Sequence, residues 1–156
     1  MTRRQALSLF VPAPVLLAAS RIPATRELED QLLAAVNEVR EQHGFARLAW
    51  DEAAHQAALF HSLRMAQDNF FAHVDPQYGN LPRRLRNAGL RWKACAENLY
   101  TQNGFPDPVE SAVSAWLRSG GHRVNLLSAA YTHTGIGVAS AGRNTYYYTQ
   151  IFLTPA

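Results

Sequence analysis

An acid inside an apolar segment is the first feature of this sequence that points to chemistry. Glu97 follows Ala96 and precedes Leu99 in a stretch with the pattern of a short strand. An inward-facing carboxylate must be paired, because a lone buried charge is costly. The chain has six histidines, and a histidine is the simplest partner. The expected chemistry is therefore that of a carboxylate–imidazole pair, which can bind a ligand or move a proton.

The single cysteine, Cys95, is a second reactive side chain beside this acid. Cys95 and Glu97 are two residues apart on one strand and so face the same side, which would allow a thiol–histidine–carboxylate triad. No oxyanion-hole motif or nucleophile turn accompanies the cysteine. We therefore interpret it as a buried, unreactive thiol. One cysteine also excludes an intramolecular disulfide, so packing must hold the fold together.

Positive charge is concentrated in one short segment that contains no acid. Five cations fall within eleven residues: Arg83, Arg84, Arg86, Arg91 and Lys93. Two interpretations stay open for this basic segment. It is either a solvated helix face or a patch that binds an anionic surface such as phospholipid or wall polymer.

The spacing of apolar residues changes along the chain from helical to strand-like. Helical spacing with capping residues predicts four helices, at about 26–43, 51–68, 80–89 and 107–119. Alternation predicts a short strand at 94–100 and a terminal antiparallel hairpin that includes 145–153. Helices that precede and interrupt a small sheet indicate an α+β domain built in layers.

Six short motifs follow one another in a fixed order over most of the chain. They lie at 36–40, 71–76, 96–99, 116–127, 136–138 and 148–152. Together they resemble the CAP superfamily, which includes the cysteine-rich secretory, antigen 5 and pathogenesis-related proteins and whose unit is also called the SCP domain. The segment Trp116–Leu127 resembles the signature of bacterial members.

The resemblance implies a three-layer α/β/α sandwich over 26–156, with a small, mainly antiparallel sheet and a C-terminal hairpin. It also implies a cleft in which two histidines and two acids meet, and in some relatives this tetrad holds a divalent metal. Carried over to this chain, His73 and His122 are the histidines and Glu97 is the first acid. Ser119 stands where the second acid would be. The other four histidines are interpreted as surface or hydrogen-bonded core residues: His43, His55, His61 and His133.

An incomplete tetrad limits what the cleft can do with a metal. Two neutral imidazoles and a carboxylate are suitable zinc ligands, but a zinc site needs a fourth partner, and the Ser119 hydroxyl is a poor one. Asp75, two residues past His73, is the better candidate for a supporting acid. Gln150 is either an ordinary strand residue or an amide at the cleft floor. We predict that no cofactor is required and that a divalent metal such as zinc binds weakly at best.

The N-terminus has the organisation of an export signal. Arg3 and Arg4 precede an apolar run that ends in small residues, which predicts a signal peptide at 1–20, of the general secretory or the twin-arginine type. Its removal takes away two arginines and no acids, so the formal charge falls from +3 to +1. We expect a secreted or periplasmic protein, without a nucleic-acid partner or a remaining transmembrane anchor.

Three functions are compatible with these features. The leading hypothesis is a non-enzymatic exported module whose cleft binds a lipid, a wall fragment or another extracellular ligand. A hydrolase that uses the same cleft, with a metal or a general base, is the first alternative. An interaction module acting through the basic segment is the second. The sequence favours a monomeric binding module over an enzyme.

Overall fold

The computed structural model describes residues 25–104, 106–142 and 144–156. The helices in this part of the chain are α1 (Thr25–Gln42), α2 (Glu52–Asp68), α3 (Leu81–Asn87), α4 (Pro108–Arg118) and α5 (Gly120–Leu126). The strands are β1 (Ala49–Trp50), β2 (Trp92–Asn103), β3 (His133–Ser140) and β4 (Thr145–Pro155). The signal peptide predicted at 1–20 lies outside the described residues.

Side-chain caps begin three of the helices. Asp51, Asn80 and Asp107 each accept a hydrogen bond from the backbone N–H three residues further on, at 2.8, 3.1 and 3.0 Å. Such caps satisfy one of the free N–H groups of the first turn. The helix starts predicted from these residues are therefore confirmed. The prediction did not include α5, which begins immediately after the extended residue Ser119.

The four strands form one sheet in the order β1-β3-β4-β2. β4 pairs antiparallel with both of its neighbours, and the two-residue β1 pairs parallel with β3. The predicted hairpin is the β3–β4 pair. Position 151 of β4 is the cross-strand partner of Glu97 on β2, and Gln150 is the partner of Asn98. These two pairs lie on opposite faces of the sheet because successive strand residues alternate.

Helices cover both faces of the sheet, which makes the domain a three-layer α+β sandwich as expected. On one face, α1 and α4 pack their apolar residues against β3 and β4, with Trp116 and Phe152 fully buried. On the other face, α2 and α3 pack against Ile151 and Leu153. The Trp116 indole also donates a hydrogen bond to the Leu99 carbonyl at 2.9 Å, which fixes α4 on β2.

Two glycines of β3 allow the backbone of α2 to pack directly against the backbone of the sheet. A Cβ at Gly135 would lie 2.0 Å from the backbone nitrogen of His55, and one at Gly137 would lie 2.1 Å from that of Leu59. No side chain larger than a hydrogen fits at either position. This close contact fixes the position of α2, and with it the buried residue His61 beneath the candidate site.

Candidate functional site

Glu97 faces the layer formed by α2 and α3. Its cross-strand partner Ile151 belongs to the apolar cluster on that face, and Cys95, two residues earlier on β2, packs against the same cluster. The Glu97 side chain is 3% exposed. The carboxylate therefore lies inside the protein and needs partners there, as its apolar surroundings in the sequence predicted.

Two side chains supply those partners. His73 donates a hydrogen bond from Nδ1 to one carboxylate oxygen of Glu97 at 2.9 Å. Nη2 of Arg84 lies 2.9 and 2.7 Å from the two carboxylate oxygens. The same nitrogen donates to the backbone carbonyl of His73 at 3.1 Å. The negative charge of Glu97 is thus balanced by a guanidinium, and the carboxylate orients the His73 ring.

His122, on α5, lies beside His73 and completes the group of residues expected to line the cleft. Its ring centroid lies 6.3 Å from that of His73. Burial, followed by the nearby His73, lowers the pKa of His122 below its usual value, so its imidazole is neutral at pH 7. Asn98 donates to the His122 carbonyl at 3.0 Å, and Asn125 donates to the Asn98 side-chain oxygen at 2.9 Å. These amides hold the α5 backbone against β2.

The two histidines differ from Glu97 in being accessible. The His73 side chain is 55% exposed, and His122 is half-buried. Exposed apolar side chains stand close to them in the chain: Phe71 and Val74 beside His73, and Val124 beside His122. The site therefore presents two imidazoles to solvent, with exposed apolar side chains adjacent to them in the chain.

Asp75, predicted as a supporting acid, lies in the loop that carries His73, but its hydrogen bonds stabilise that loop. It is buried, and its carboxylate accepts hydrogen bonds from the backbone N–H groups of Gln77 and Tyr78 at 2.8 and 2.9 Å and from Arg64 at 3.3 Å. Burial alone would raise the pKa of Asp75, but these hydrogen bonds outweigh it and lower the pKa. None of its hydrogen bonds in the described structure reaches the cleft residues.

The two other residues predicted to support the cleft are Gln150 and Ser119. Gln150 is fully buried in β4 and donates to the Thr134 hydroxyl at 3.2 Å. Ser119 links α4 to α5, and its backbone carbonyl accepts from the N–H of Arg123 at 2.8 Å. In the described residues, no hydrogen bond joins the side chain of Ser119 or Gln150 to His73, Glu97 or His122.

Arg84 is the residue of the site that the sequence interpretation placed wrongly. It was assigned to the basic segment, but it is only 4% exposed and contacts Glu97. The other four members are exposed, which suits a solvated face and an anion-binding patch equally: Arg83, Arg86, Arg91 and Lys93. Helical spacing contained the missing signal, because Leu81 and Leu85 lie on the inward side of α3 and position 84 falls between them on that side. Ala88, also expected to face inward, is exposed at the C-cap of α3.

A second buried histidine, His61, supports the loop that carries His73. Its Nε2–H donates to the Ala72 carbonyl at 2.9 Å, and its Nδ1 lies 4.0 Å from an Asp75 oxygen. Burial, followed by the positive charge of Arg84, lowers the pKa of His61. His61 is therefore a hydrogen-bonded core residue, in agreement with its interpretation from the sequence.

The donor set does not fit a divalent metal in this arrangement. Both oxygens of Glu97 are held by Arg84, whose positive charge would repel a metal ion. Among the described residues, no group of three or more histidines, cysteines or acids is placed to hold a metal. A metal ion at Glu97 would require Arg84 to move away. Weak zinc binding, predicted from the sequence, stays a prediction.

Comparison with known proteins now identifies the class. The family model described as "Cysteine-rich secretory protein family" (CAP) matches residues 33–152, and the chain belongs to this family. The Bacillus subtilis (strain 168) protein described as "Uncharacterized membrane protein YlbC" is 39% identical over 125 residues, which cover 80% of this chain and 34% of that protein. The resemblance inferred from the motifs is thus confirmed.

Solved structures agree with this assignment. An extracellular protein with an SCP domain from Bacillus anthracis superposes with a TM-score of 0.75 at 32% identity, covering 83% of this chain and 42% of that one. An outer surface protein from Borrelia burgdorferi has the same fold, with a TM-score of 0.76 at 18% identity, covering 86% of this chain and 97% of that one. A second Bacillus subtilis (strain 168) relative, described as "Uncharacterized protein YkwD", is 30% identical over 138 residues. The chain spans only 34% of the first relative and 52% of the second. No helix in the described residues is long and apolar enough to cross a membrane.

Proposed function

We propose that the chain is a non-enzymatic binding module that acts outside the cytoplasm and holds a cell-envelope ligand between His73 and His122. The observation that carries this proposal is that the negative charge of Glu97 is already neutralised inside the protein. Because Arg84 neutralises the carboxylate, Glu97 acts as a positioning group for the His73 ring. Nε2 of His73, whose Nδ1–H is held by Glu97, and the ring of His122 then face the ligand, and no metal is needed.

Two properties of the site indicate the class of ligand: its charge and the exposed apolar side chains close to the histidines in the chain. Paired Glu97 and Arg84 leave the cleft close to neutral, and His122 is uncharged at pH 7. A neutral ligand with hydroxyl or carbonyl groups suits the imidazoles, and an apolar part suits the exposed Phe71 and Val74. A lipid with a polar uncharged head, or a wall fragment, combines these properties.

A binding experiment tests the proposal. Diacylglycerol-containing vesicles and soluble peptidoglycan fragments are presented to the protein and to the double variant His73→Ala/His122→Ala. We expect binding to fall about tenfold or more in the double variant, since both polar anchors are removed. His43→Ala is the control because His43 is exposed just after the end of α1. Equal binding by all three proteins would contradict the proposal.

Export is the second part of the proposal. It is supported by the signal-like sequence at 1–20 and by the extracellular and outer-surface proteins that share the fold. In the native host, the mature chain should begin near Arg21. Intact-mass measurement of the envelope and secreted fractions tests this, and a cytosolic protein that retains Met1–Ala19 would contradict it.

A hydrolase remains the second candidate, because the hydrogen bond between His73 and Glu97 is one that a general base would use. Against it, no hydroxyl or thiol side chain among the described residues hydrogen-bonds to the ring of His73 or His122. Such a hydrolase would have to activate water directly. Turnover of ester or peptide substrates that disappears in His73→Ala would favour it over simple binding.

A further inference from the structure

A separate cavity lies on the other side of Arg84, between α2 and α3. Its volume is about 270 Å³, slightly below the usual range for ligand pockets of about 300–1,000 Å³. Ala57 and Phe60 line it from α2, Asn87 and Ala88 line it from the end of α3, and Tyr78 lines it from the preceding loop. The cleft histidines do not line it, so the cavity is distinct from the site described above.

The cavity has one charged wall residue with unused hydrogen-bond donors. Arg84 lines the cavity, and only its Nη2 contacts Glu97 and the loop. Its Nε and Nη1 are buried without a hydrogen-bond partner. Buried polar groups in native proteins are nearly always satisfied, so two free donors on one guanidinium require an explanation. An acceptor bound in the adjacent cavity would satisfy Nη1, the nitrogen at the far end of the guanidinium from Nε–H.

Charge and shape define the ligand. From Pro76 to Ala96 the chain contains no acid, and the exposed Arg83 and Arg86 on α3 make this side of the protein positive. The apolar part of the wall includes Phe60 and Tyr78, whose rings meet edge to face with centroids 4.9 Å apart. A flat apolar body extends such an aromatic cluster, and a carboxylate forms a strong, charge-assisted hydrogen bond with a guanidinium N–H such as those of Nη1.

We propose that this cavity binds a small aromatic carboxylate, with its ring against Phe60 and Tyr78 and its carboxylate at Nη1 of Arg84. Nη1 is covered in the empty cavity, so binding requires a small shift of the wall. Side-chain adjustments of this kind are common on ligand binding. The proposal goes beyond the function proposed for the cleft, and Arg84 is the residue that the two sites share.

The test uses 2-naphthoate as the probe and 2-naphthylmethanol as its uncharged counterpart, titrated into the full chain at pH 7. We expect the carboxylate to bind about tenfold more tightly than the alcohol, because only the carboxylate pairs with Arg84. Phe60→Ala should weaken naphthoate binding about tenfold. The matched control is Leu63→Ala, because Leu63 lies on the same helix, is 41% exposed against 40% for Phe60, and does not line the cavity.

Two further variants guard against a folding defect in Phe60→Ala and separate the cavity from the cleft. Ala88→Trp, which should fill the cavity from the end of α3, must also abolish binding even if Phe60→Ala is poorly folded. His122→Ala should leave naphthoate affinity unchanged, which separates this site from the cleft. Equal affinity for the acid and the alcohol, or equal loss in Phe60→Ala and Leu63→Ala, would overturn the proposal. Thermal unfolding of each variant confirms that the folded protein is being measured.

Discussion

One nitrogen of Arg84, Nη2, contacts both carboxylate oxygens of Glu97, at 2.9 and 2.7 Å, and both side chains are almost completely buried. The ion pair joins α3 to β2 and, through the hydrogen bond to the His73 carbonyl, to the loop that carries the cleft histidine. A charge buried in this way is stable only while its partner is present.

Removing Arg84 should therefore destabilise the fold. We expect Arg84→Met to lower the free energy of unfolding by about 3–5 kcal/mol, because Glu97 is left as an unpaired buried charge. The double variant Arg84→Met/Glu97→Gln should recover part of this loss. Urea denaturation measures both. Arg83→Met, the exposed neighbour, should change stability by no more than about 0.5 kcal/mol, and a similar loss in both single variants would contradict the role of the pair.

Arg84 should also control metal binding. Arg84→Gln frees the Glu97 carboxylate and removes a repelling cation, so we expect zinc affinity to rise about tenfold over the wild type. Calorimetric titration at pH 7 with wild type, Arg84→Gln and Arg83→Gln makes the comparison. Tight zinc binding by the wild type that depends on His122 would instead show that the arginine moves aside for the metal.

Acid should destabilise the protein through His61. Its pKa is lowered in the folded state, so the unfolded chain binds more protons than the folded chain once the pH falls below about 6.5. The contribution of neutral His61 to the free energy of unfolding is complete above this pH. As the pH falls towards the lowered pKa, this contribution is lost progressively, by up to about 1.4 kcal/mol per pH unit. Unfolding of His61→Gln between pH 5 and 7 should show a flatter dependence, whereas exposed His43→Gln should match the wild type.

The glycines of β3 should tolerate no side chain. Gly137→Ala would place its Cβ 2.1 Å from the Leu59 backbone nitrogen, so we expect a loss of about 3 kcal/mol or more. Gly121→Ala, where nothing lies within 4 Å of the added Cβ, is the matched control and should be nearly neutral. Thermal denaturation followed by circular dichroism distinguishes the two, and a native-like melting curve for Gly137→Ala would show that α2 can move away.

Cys95 is only partly buried, unlike the buried thiol predicted from the sequence, but it should still behave as an unreactive thiol. Burial, followed by the charge of Glu97, raises the pKa of Cys95, which lowers the thiolate fraction at neutral pH. We expect slow thiol titration of the folded protein and fast titration in denaturant. Cys95→Ala should cost on the order of 1 kcal/mol in stability. Rapid modification of the native protein at pH 7 would disagree with this environment.

Sequence reasoning predicted the elements more accurately than the contacts within the site. Caps such as Asp51 act within one helical turn, so local sequence is sufficient to identify them. The partner of Glu97 depends on how a helix, a loop and a strand meet, which local sequence does not contain. A histidine was expected and was found, whereas Arg84 was missed because arginines are mostly exposed. The short α5 was missed because its two glycines resemble a helix stop.

The segment from Asn69 to Asn80 has no helix or long strand, yet buried side chains hold it at three points. His61 binds the carbonyl of Ala72, Arg84 binds that of His73, and Asp75 binds two N–H groups of the same segment. The conformational entropy of His73 is therefore largely lost during folding, before any ligand arrives. Such preorganisation should let ligands associate without waiting for the segment to close, and it should keep the entropic cost of binding small.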